Sequence, residues 1–153
     1  MDECSKREPN LNLVQDLISL GANVNWQDED NFNRTALHKA TEYGRAEIVR
    51  MLLDSGADVN MKDGWGGLTA LHIVAEDKYQ LKIARMLVDA GADLNIQDTW
   101  GNTPLHWAAK NGSGYLEIVK LLVDAGARTD IQDNKGQTPY ELATTQEMKN
   151  ILG

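Results

Sequence analysis

The sequence has almost no cysteine, since Cys4 is the single one among 153 residues. One thiol forms no disulfide within the chain, which is typical of a reducing compartment and predicts a free thiol on a loose N-terminus. Long apolar runs are missing too, because no stretch approaches the roughly 20 residues that span a bilayer. The polar first residues do not resemble a signal peptide. These absences predict no membrane association and a cytoplasmic or nuclear location.

Positive charge is also in short supply. The chain has 15 Lys and Arg against 23 Asp and Glu, which gives a net charge of −8. A protein that binds the phosphate backbone needs a basic surplus, so this balance argues against nucleic acid as a partner. A basic protein partner remains compatible with the charge.

Catalytic motifs are missing as well. The sequence contains no nucleophile elbow, P-loop, dinucleotide fingerprint or HExxH motif. Most carboxylates fall on predicted turns or helix exteriors, where they are solvated charge. We therefore predict that the chain is not an enzyme and that it holds no cofactor or metal.

What the sequence does have is an internal repeat. A Gly-Ala pair recurs every 35 residues, at Gly21, Gly56, Gly91 and Gly126. An aspartate recurs with the same period, at Asp28, Asp63, Asp98 and Asp133. A threonine recurs every 34 or 35 residues, at Thr35, Thr69, Thr103 and Thr138. Such periods predict a solenoid of stacked helix pairs, in which each pair needs neighbours to bury its apolar faces.

Residues 101–133 carry the pattern most completely. Thr103 is a good N-cap, and Pro104 follows at the first helical position, where a missing N–H costs nothing. The same pattern predicts first helices at 35–43 and 69–77, and second helices at 47–54, 81–90 and 146–152. The loop after Asp28 is longer than the later ones and has Asn31 where they have glycine. Asparagine tolerates left-handed backbone, so Asn31 is predicted to preserve this turn.

The runs TPLHWAA at 103–109, TALH at Thr35 and Thr69, and LLDSGADVN at 52–60 resemble the ankyrin repeat. The resemblance covers roughly nine-tenths of the chain. It implies an all-α ankyrin-repeat solenoid of antiparallel helix pairs with hairpin loops, forming one domain over 1–153. The units are a half repeat at 10–32, repeats at 33–65, 66–100 and 101–135, and a capping repeat at 136–153. The half repeat is either a natural cap or the start of a chain cut from a longer array.

Three histidines, His38, His72 and His106, are spaced by 34 residues. In a solenoid they form a ladder with steps of roughly 8–10 Å, the spacing of packed helices. That spacing is too wide for a shared zinc ion. The resemblance implies instead that each histidine hydrogen-bonds turn backbone and the neighbouring repeat.

Asn25, Asn60 and Asn95 each lie eight residues after a leucine, just past a Gly-Ala turn. A hydrogen bond to the hairpin is enough to explain these asparagines. The resemblance also implies an alternative, in which they are substrates for asparaginyl hydroxylation.

Aromatic residues on the turns give the strongest functional signal. Trp65 and Trp100 each lie two residues after a repeated aspartate, so they occupy the same place in adjacent turns. Two neighbouring indoles in water predict an apolar anchor for a partner. The alternative is that each indole folds over its own hairpin and packs on the next turn. Trp107 is predicted to lie in the core, and Trp26 is predicted to stack in a column with Met61, Ile96 and Ile131.

The resemblance implies that turn tips and first helices line a concave binding face. The matching positions are Asp30, Glu42, Tyr43, Trp65, Glu76, Asp77, Trp100, Asn102, Lys110, Asn111 and Lys135. The acidic positions cluster toward the N-terminal half, which favours docking of a basic segment. The alternative is ordinary surface charge that keeps the protein soluble.

The sequence therefore predicts a monomeric, non-catalytic module that binds another protein through the concave face and hairpin tips, as an inhibitor or an adaptor. The alternative is a fragment of a larger ankyrin scaffold with a mainly structural role.

Overall fold

The computed structural model describes residues 11–153 as a row of stacked helix pairs, and Cys4 lies outside this part. Its helices are α1 (Leu11–Ser19), α2 (Ala36–Glu42), α3 (Ala46–Asp54), α4 (Ala70–Ala75), α5 (Leu81–Asp89), α6 (Pro104–Lys110), α7 (Leu116–Asp124), α8 (Pro139–Leu142) and α9 (Gln146–Leu152). Two 3₁₀ helices lie at Glu29–Asn31 and Ser113–Tyr115. Residues 11–153 contain no strand, so the predicted all-α solenoid is confirmed.

The helices form two rows. The first-helix row runs through α2, α4, α6 and α8, and each of these contacts the next. The second-helix row runs through α1, α3, α5, α7 and α9. The predicted bounds agree with the observed ones within two residues, and α4 differs most because it ends at Ala75. There the Asp77 carboxylate accepts a hydrogen bond from the Tyr79 amide at 2.9 Å, which favours a turn.

The core lies between the two rows and repeats with the sequence. The first helices contribute one leucine each, at Leu37, Leu71 and Leu105. The second helices contribute fully buried small or branched residues at Val49, Ala84 and Val119. Helix α1 packs against α3 but has no buried residue of its own. The apolar faces are therefore covered by stacking between repeats, as the repeat period predicted.

Each buried histidine bridges two repeats. His38 Nδ1 accepts hydrogen bonds from the Thr35 amide and hydroxyl at the start of its own helix. Nε2 is then the protonated nitrogen, and it donates to the Leu68 carbonyl of the next repeat at 3.0 Å. His72 and His106 make the same bonds one and two repeats further along. The role that the resemblance implied for these histidines is confirmed.

The carbonyl that accepts the hydrogen bond from the histidine ring also accepts the hydrogen bond that closes the turn in which it lies. The Asn102 carbonyl accepts the His72 ring at 3.1 Å and the Asp98 amide at 2.9 Å. A carbonyl oxygen has two lone pairs, so both bonds are satisfied at once. The turn of one repeat is thereby held in register with the helix of the preceding one.

A second ladder of hydrogen bonds runs through the asparagines after the Gly-Ala turns. Asn25 Oδ1 accepts the Asp58 amide at 2.7 Å, Asn60 Oδ1 accepts the Asp93 amide at 2.8 Å, and Asn95 Oδ1 accepts the Arg128 amide at 2.9 Å. Each asparagine thus bonds the hairpin of the following repeat, which confirms the structural interpretation. Hydroxylation of these residues stays a prediction.

Two predictions in the half repeat are wrong. Asn31 lies in a 3₁₀ helix, and the left-handed backbone falls on Phe32 and Asn33, with φ of 54° and 51°. The additional residues of this longer loop form the 3₁₀ helix. Trp26 is 61% exposed, whereas Met61, Ile96 and Ile131 of its predicted column are half-buried.

Burial of the histidine rings makes the fold sensitive to acid. Burial lowers the pKa of His72 from 6.5 to about 4, and it also lowers the pKa values of His38 and His106. As the pH falls, the histidines of the unfolded chain therefore take up protons at a higher pH than those of the folded chain. We expect the free energy of unfolding to decrease between pH 6.5 and pH 4, with His72 alone contributing about 3 kcal/mol by the lower limit. Urea midpoints across this range measure the loss.

The matched variant is His72→Gln, which removes the titrating ring. It is expected to be less stable at neutral pH and to show a shallower dependence on pH. A wild-type stability that stays flat through this range would contradict the assignment of buried, neutral histidines.

Two glycines with left-handed backbone differ in whether the next turn lies close to them, so a comparison of their alanine variants distinguishes the cost of the backbone conformation from the cost of the contact. Gly101 has φ of +81°, and an added Cβ would lie 2.6 Å from Asn134 Oδ1 and 2.7 Å from its backbone nitrogen. Gly136 has φ of +78° with nothing within 4 Å of such a Cβ. We expect Gly136→Ala to cost roughly 1–2 kcal/mol from left-handed backbone alone, and Gly101→Ala to cost about 1–3 kcal/mol more. Urea unfolding of both variants tests this, and equal losses would show that turn stacking adds nothing.

Candidate functional site

Three tryptophans lie side by side, two from the second and third of the four turns and one from α6. The Trp65 and Trp100 ring centroids are 5.5 Å apart with an interplanar angle of 63°. The Trp100 and Trp107 centroids are 6.5 Å apart at 75°. Both pairs are edge-to-face, the arrangement that the indole quadrupole favours. We call Trp65, Trp100 and Trp107 the tryptophan row.

The turns below hold this row in place. Trp100 lies directly over Gly66, where an added Cβ would be 2.7 Å from the edge of its six-membered ring. The Thr99 amide donates to the Gly66 carbonyl at 2.9 Å, which ties the two turns together. Trp65 nevertheless remains 56% exposed and Trp100 43% exposed. The indoles therefore pack on one another and on the adjacent turn while each keeps a large surface open to solvent.

Trp107 was predicted to be a core residue, and this is partly right, because it packs against the core from its edge. Its ring is half-buried, and its Nε1 donates to Asp98 Oδ2 at 2.9 Å. The Lys110 ammonium lies 5.7 Å from the ring centroid. An indole N–H needs an acceptor when it is covered, and the turn aspartate supplies it at the edge of the core. That need for an acceptor is the signal in the sequence that could have placed Trp107 at the edge.

The tryptophan row forms one wall of a cavity of about 390 Å³. This volume is near the lower end of the range for ligand pockets, roughly 300–1,000 Å³. We call this cavity the tryptophan groove. Its walls include Trp65, Trp100, Asn102, Trp107, Lys110 and Lys135. All of these except Trp107 belong to the positions predicted for the binding face.

The two aspartates at the groove are committed to the turns. Asp98 Oδ1 accepts the Trp100 and Asn102 amides, each at 2.8 Å. Asp133 Oδ1 accepts the Lys135 and Gln137 amides at 2.8 and 2.9 Å. Burial acts against ionisation of Asp133, but these amide hydrogen bonds outweigh it and lower the pKa of its carboxyl. Both carboxylates therefore stabilise the backbone of their turns, and Asp133 shares the groove walls with the ammonium groups of Lys110 and Lys135.

The remaining predicted positions lie outside the tryptophan groove. Glu42 pairs with Arg34 at 2.9 Å and Lys39 at 3.4 Å, while Asp77 accepts from the Gln80 side chain at 2.9 Å. Local desolvation raises the pKa of the Glu76 carboxyl, and Lys110 opposes that shift. The exposed positions that complete the set are Asp30, Tyr43 and Asn111. The predicted residues thus divide between one compact groove and a dispersed set with its own local contacts.

Phe32 was missed by the sequence reasoning. It is 58% exposed at the first turn tip, on left-handed backbone with φ of 54°. It lines a second cavity of about 330 Å³ together with Arg34, Lys39 and Trp65. Phe32 lies four residues after its repeated aspartate, whereas Trp65 and Trp100 lie two residues after theirs. The longer loop therefore hid an aromatic residue in the same row of turn tips.

The groove offers indole faces, which suit an apolar side chain. It also offers ammonium groups, which suit a hydrogen-bond acceptor. Among residues 11–153, no group of three or more His, Cys, Asp or Glu is arranged to hold a metal ion. In the same part of the chain, no helix has the length and hydropathy needed to cross a bilayer.

A family model described as ankyrin repeats (3 copies) matches residues 2–98 and, in a second match, residues 71–152. The comparison with curated proteins found no match. Ankyrin repeats are generally protein–protein interaction modules, and the family is typically non-catalytic. With stacked helix pairs over the described residues and a family match over nearly its whole length, the chain belongs to the ankyrin-repeat family.

Proposed function

We propose that this chain is a non-catalytic module that binds a partner protein through its concave face and hairpin tips, as an inhibitor or an adaptor of that partner. The observation that carries the proposal is the tryptophan row, in which Trp65 and Trp100 keep 56% and 43% of their surface exposed beside an open groove. Tryptophan is enriched among the residues that dominate binding energy at protein interfaces.

The magnitude of the effect favours these two residues as anchors. Burying the exposed part of one indole stabilises a complex by on the order of 2 kcal/mol. Two such indoles contribute about 4 kcal/mol, which is a factor of roughly a thousand in the dissociation constant. The indoles are already held by neighbouring rings and turns, so little side-chain freedom remains to be lost on binding.

The charge distribution supports a partner with a basic segment. The net charge is −8, and three of the proposed binding positions, Asp30, Glu42 and Glu76, lie in the N-terminal half of the chain. Such a field speeds the approach of a cation and repels nucleic acid. On this proposal the partner is a protein of the cytoplasm or nucleus, and neither nucleic acid nor a membrane surface is a target.

Affinity capture from cell lysate tests the proposal. The wild type is compared with a Trp65→Ala, Trp100→Ala double variant whose fold is checked by circular dichroism. We expect a set of proteins to be captured by the wild type and lost with the double variant, because the apolar anchors are gone. Mass spectrometry identifies that set.

Two further variants make the comparison specific. Trp26→Ala removes an equally exposed tryptophan outside the groove and should capture the wild-type set. Gly66→Ala leaves both indoles in the chain but displaces Trp100, and Gly66 does not use left-handed backbone, so folding should change little. It is expected to reduce capture. Identical captured sets for the wild type and the double variant would refute the concave face as the binding surface.

A second candidate function is a structural role within a larger scaffold. It is favoured by α1, where Leu17 is 49% and Leu20 84% exposed. The binding-module proposal includes a monomeric chain, whereas an apolar face made to be covered promotes self-association. We expect sedimentation velocity to give a monomer mass at all protein concentrations. If the mass rises with concentration and the Leu17→Gln variant instead keeps the monomer mass, the scaffold role would be favoured.

A further inference from the structure

We infer that the partner segment held in the tryptophan groove carries an acidic side chain beside its apolar anchor. This inference rests on the proposed function and specifies the chemistry recognised at the C-terminal half of the concave face. It is independent of the basic segment proposed for the N-terminal half.

The first argument is that the groove has little carboxylate to offer a basic guest. Asp98 is 6% exposed, and its two oxygens accept the Trp100 and Asn102 amides and the Trp107 indole. Asp133 uses Oδ1 to accept two backbone amides of its own turn, which leaves Oδ2 as its free oxygen. A lysine or arginine entering the groove would meet that one oxygen beside the ammonium groups of Lys110 and Lys135, which repel it.

The second argument is that four strong hydrogen-bond donors on the groove walls have no acceptor among residues 11–153. Within the described part of the chain, the ammonium groups of Lys110 and Lys135 make no ion pair. The indole N–H groups of Trp65 and Trp100 likewise have no acceptor among residues 11–153. Ammonium and indole nitrogens donate and do not accept, so a guest must supply the acceptors. A carboxylate supplies them with the complementary charge.

The third argument is the charge of the groove walls compared with that of the whole chain. The chain as a whole has eight more acidic than basic residues. The groove walls carry Lys110 and Lys135 against the single carboxylate of Asp133, so their net charge is opposite in sign to that of the chain. Such a reversal selects the orientation of a bound segment as well as its composition.

The groove volume limits the guest. About 390 Å³ is small for a ligand pocket and suits one or two side chains of an extended segment. The indole faces take the apolar side chain, and Lys110 and Lys135 reach the carboxylate of a residue next to it. The segment thus contains Trp, Phe or Leu with Asp or Glu within two positions.

A displayed library of random dodecapeptides, panned on the full chain, tests the inference. Peptides that also bind the Trp65→Ala, Trp100→Ala variant are removed by counter-selection. We expect the survivors to share an apolar residue flanked by Asp or Glu. Survivors flanked by Lys or Arg, survivors without a charge preference, or no survivors at all would each overturn the inference.

The strongest survivor then serves as a synthetic probe. Lys110→Gln and Lys135→Gln keep a polar side chain and remove the charge, and each should weaken binding by about three- to tenfold. Lys120→Gln is the matched control on the second-helix row and should bind as the wild type does. Added salt should weaken wild-type binding more than binding by the Lys110→Gln, Lys135→Gln double variant. Equal affinities for all these variants would overturn the inference.

Failure of the inference differs from failure of the proposed function. If lysate capture does not depend on Trp65 and Trp100, the proposed function fails and the inference fails with it. If capture depends on the two tryptophans but the selected peptides lack acidic residues, only the inference fails.

Discussion

The hydrogen bond from each buried histidine to the turn of the next repeat is the contact on which the rest of the structure depends. His38, His72 and His106 each accept from the threonine that starts their own helix and donate to a carbonyl one repeat away. The same carbonyl closes the next turn. Helix start, turn closure and repeat register therefore depend on one hydrogen-bond network. If a ring gained a second proton, its Nδ1 could no longer accept the hydrogen bond from the threonine amide at the helix start.

Register between turns is what creates the groove. Turn tips related by one repeat are joined by backbone bonds, such as that from the Asn134 amide to the Trp100 carbonyl at 3.0 Å. Because successive tips are tied together, residues far apart in sequence come to lie side by side. Trp100 rests on Gly66 and touches Trp65, while Trp107 of the following helix completes the row.

Stability and the proposed recognition depend on different atoms of the same turns. The aspartate carboxylates and backbone carbonyls of the turns are used internally, and side chains at the tips project beyond them. Tip residues can therefore change without removing a bond that holds the stack. This separation explains how a repeat with a fixed skeleton carries Phe32, Trp65 and Trp100 at comparable places with different neighbours.

The sequence by itself determined the repeat, the helix bounds within two residues and the places of Trp65 and Trp100, because these follow from local capping, turns and burial that recur in every unit. It also predicted the bridging histidines through the resemblance that their motif carries. Only the tertiary structure decided that Trp107 faces the groove, that Trp26 is exposed and that Phe32 joins the row of tips. Those outcomes depend on how one repeat is placed against the next and on which side of a turn a ring lies. A periodic pattern shows the features that all repeats share. Contacts between unlike side chains of neighbouring repeats differ from one pair of repeats to the next, so the pattern does not predict them.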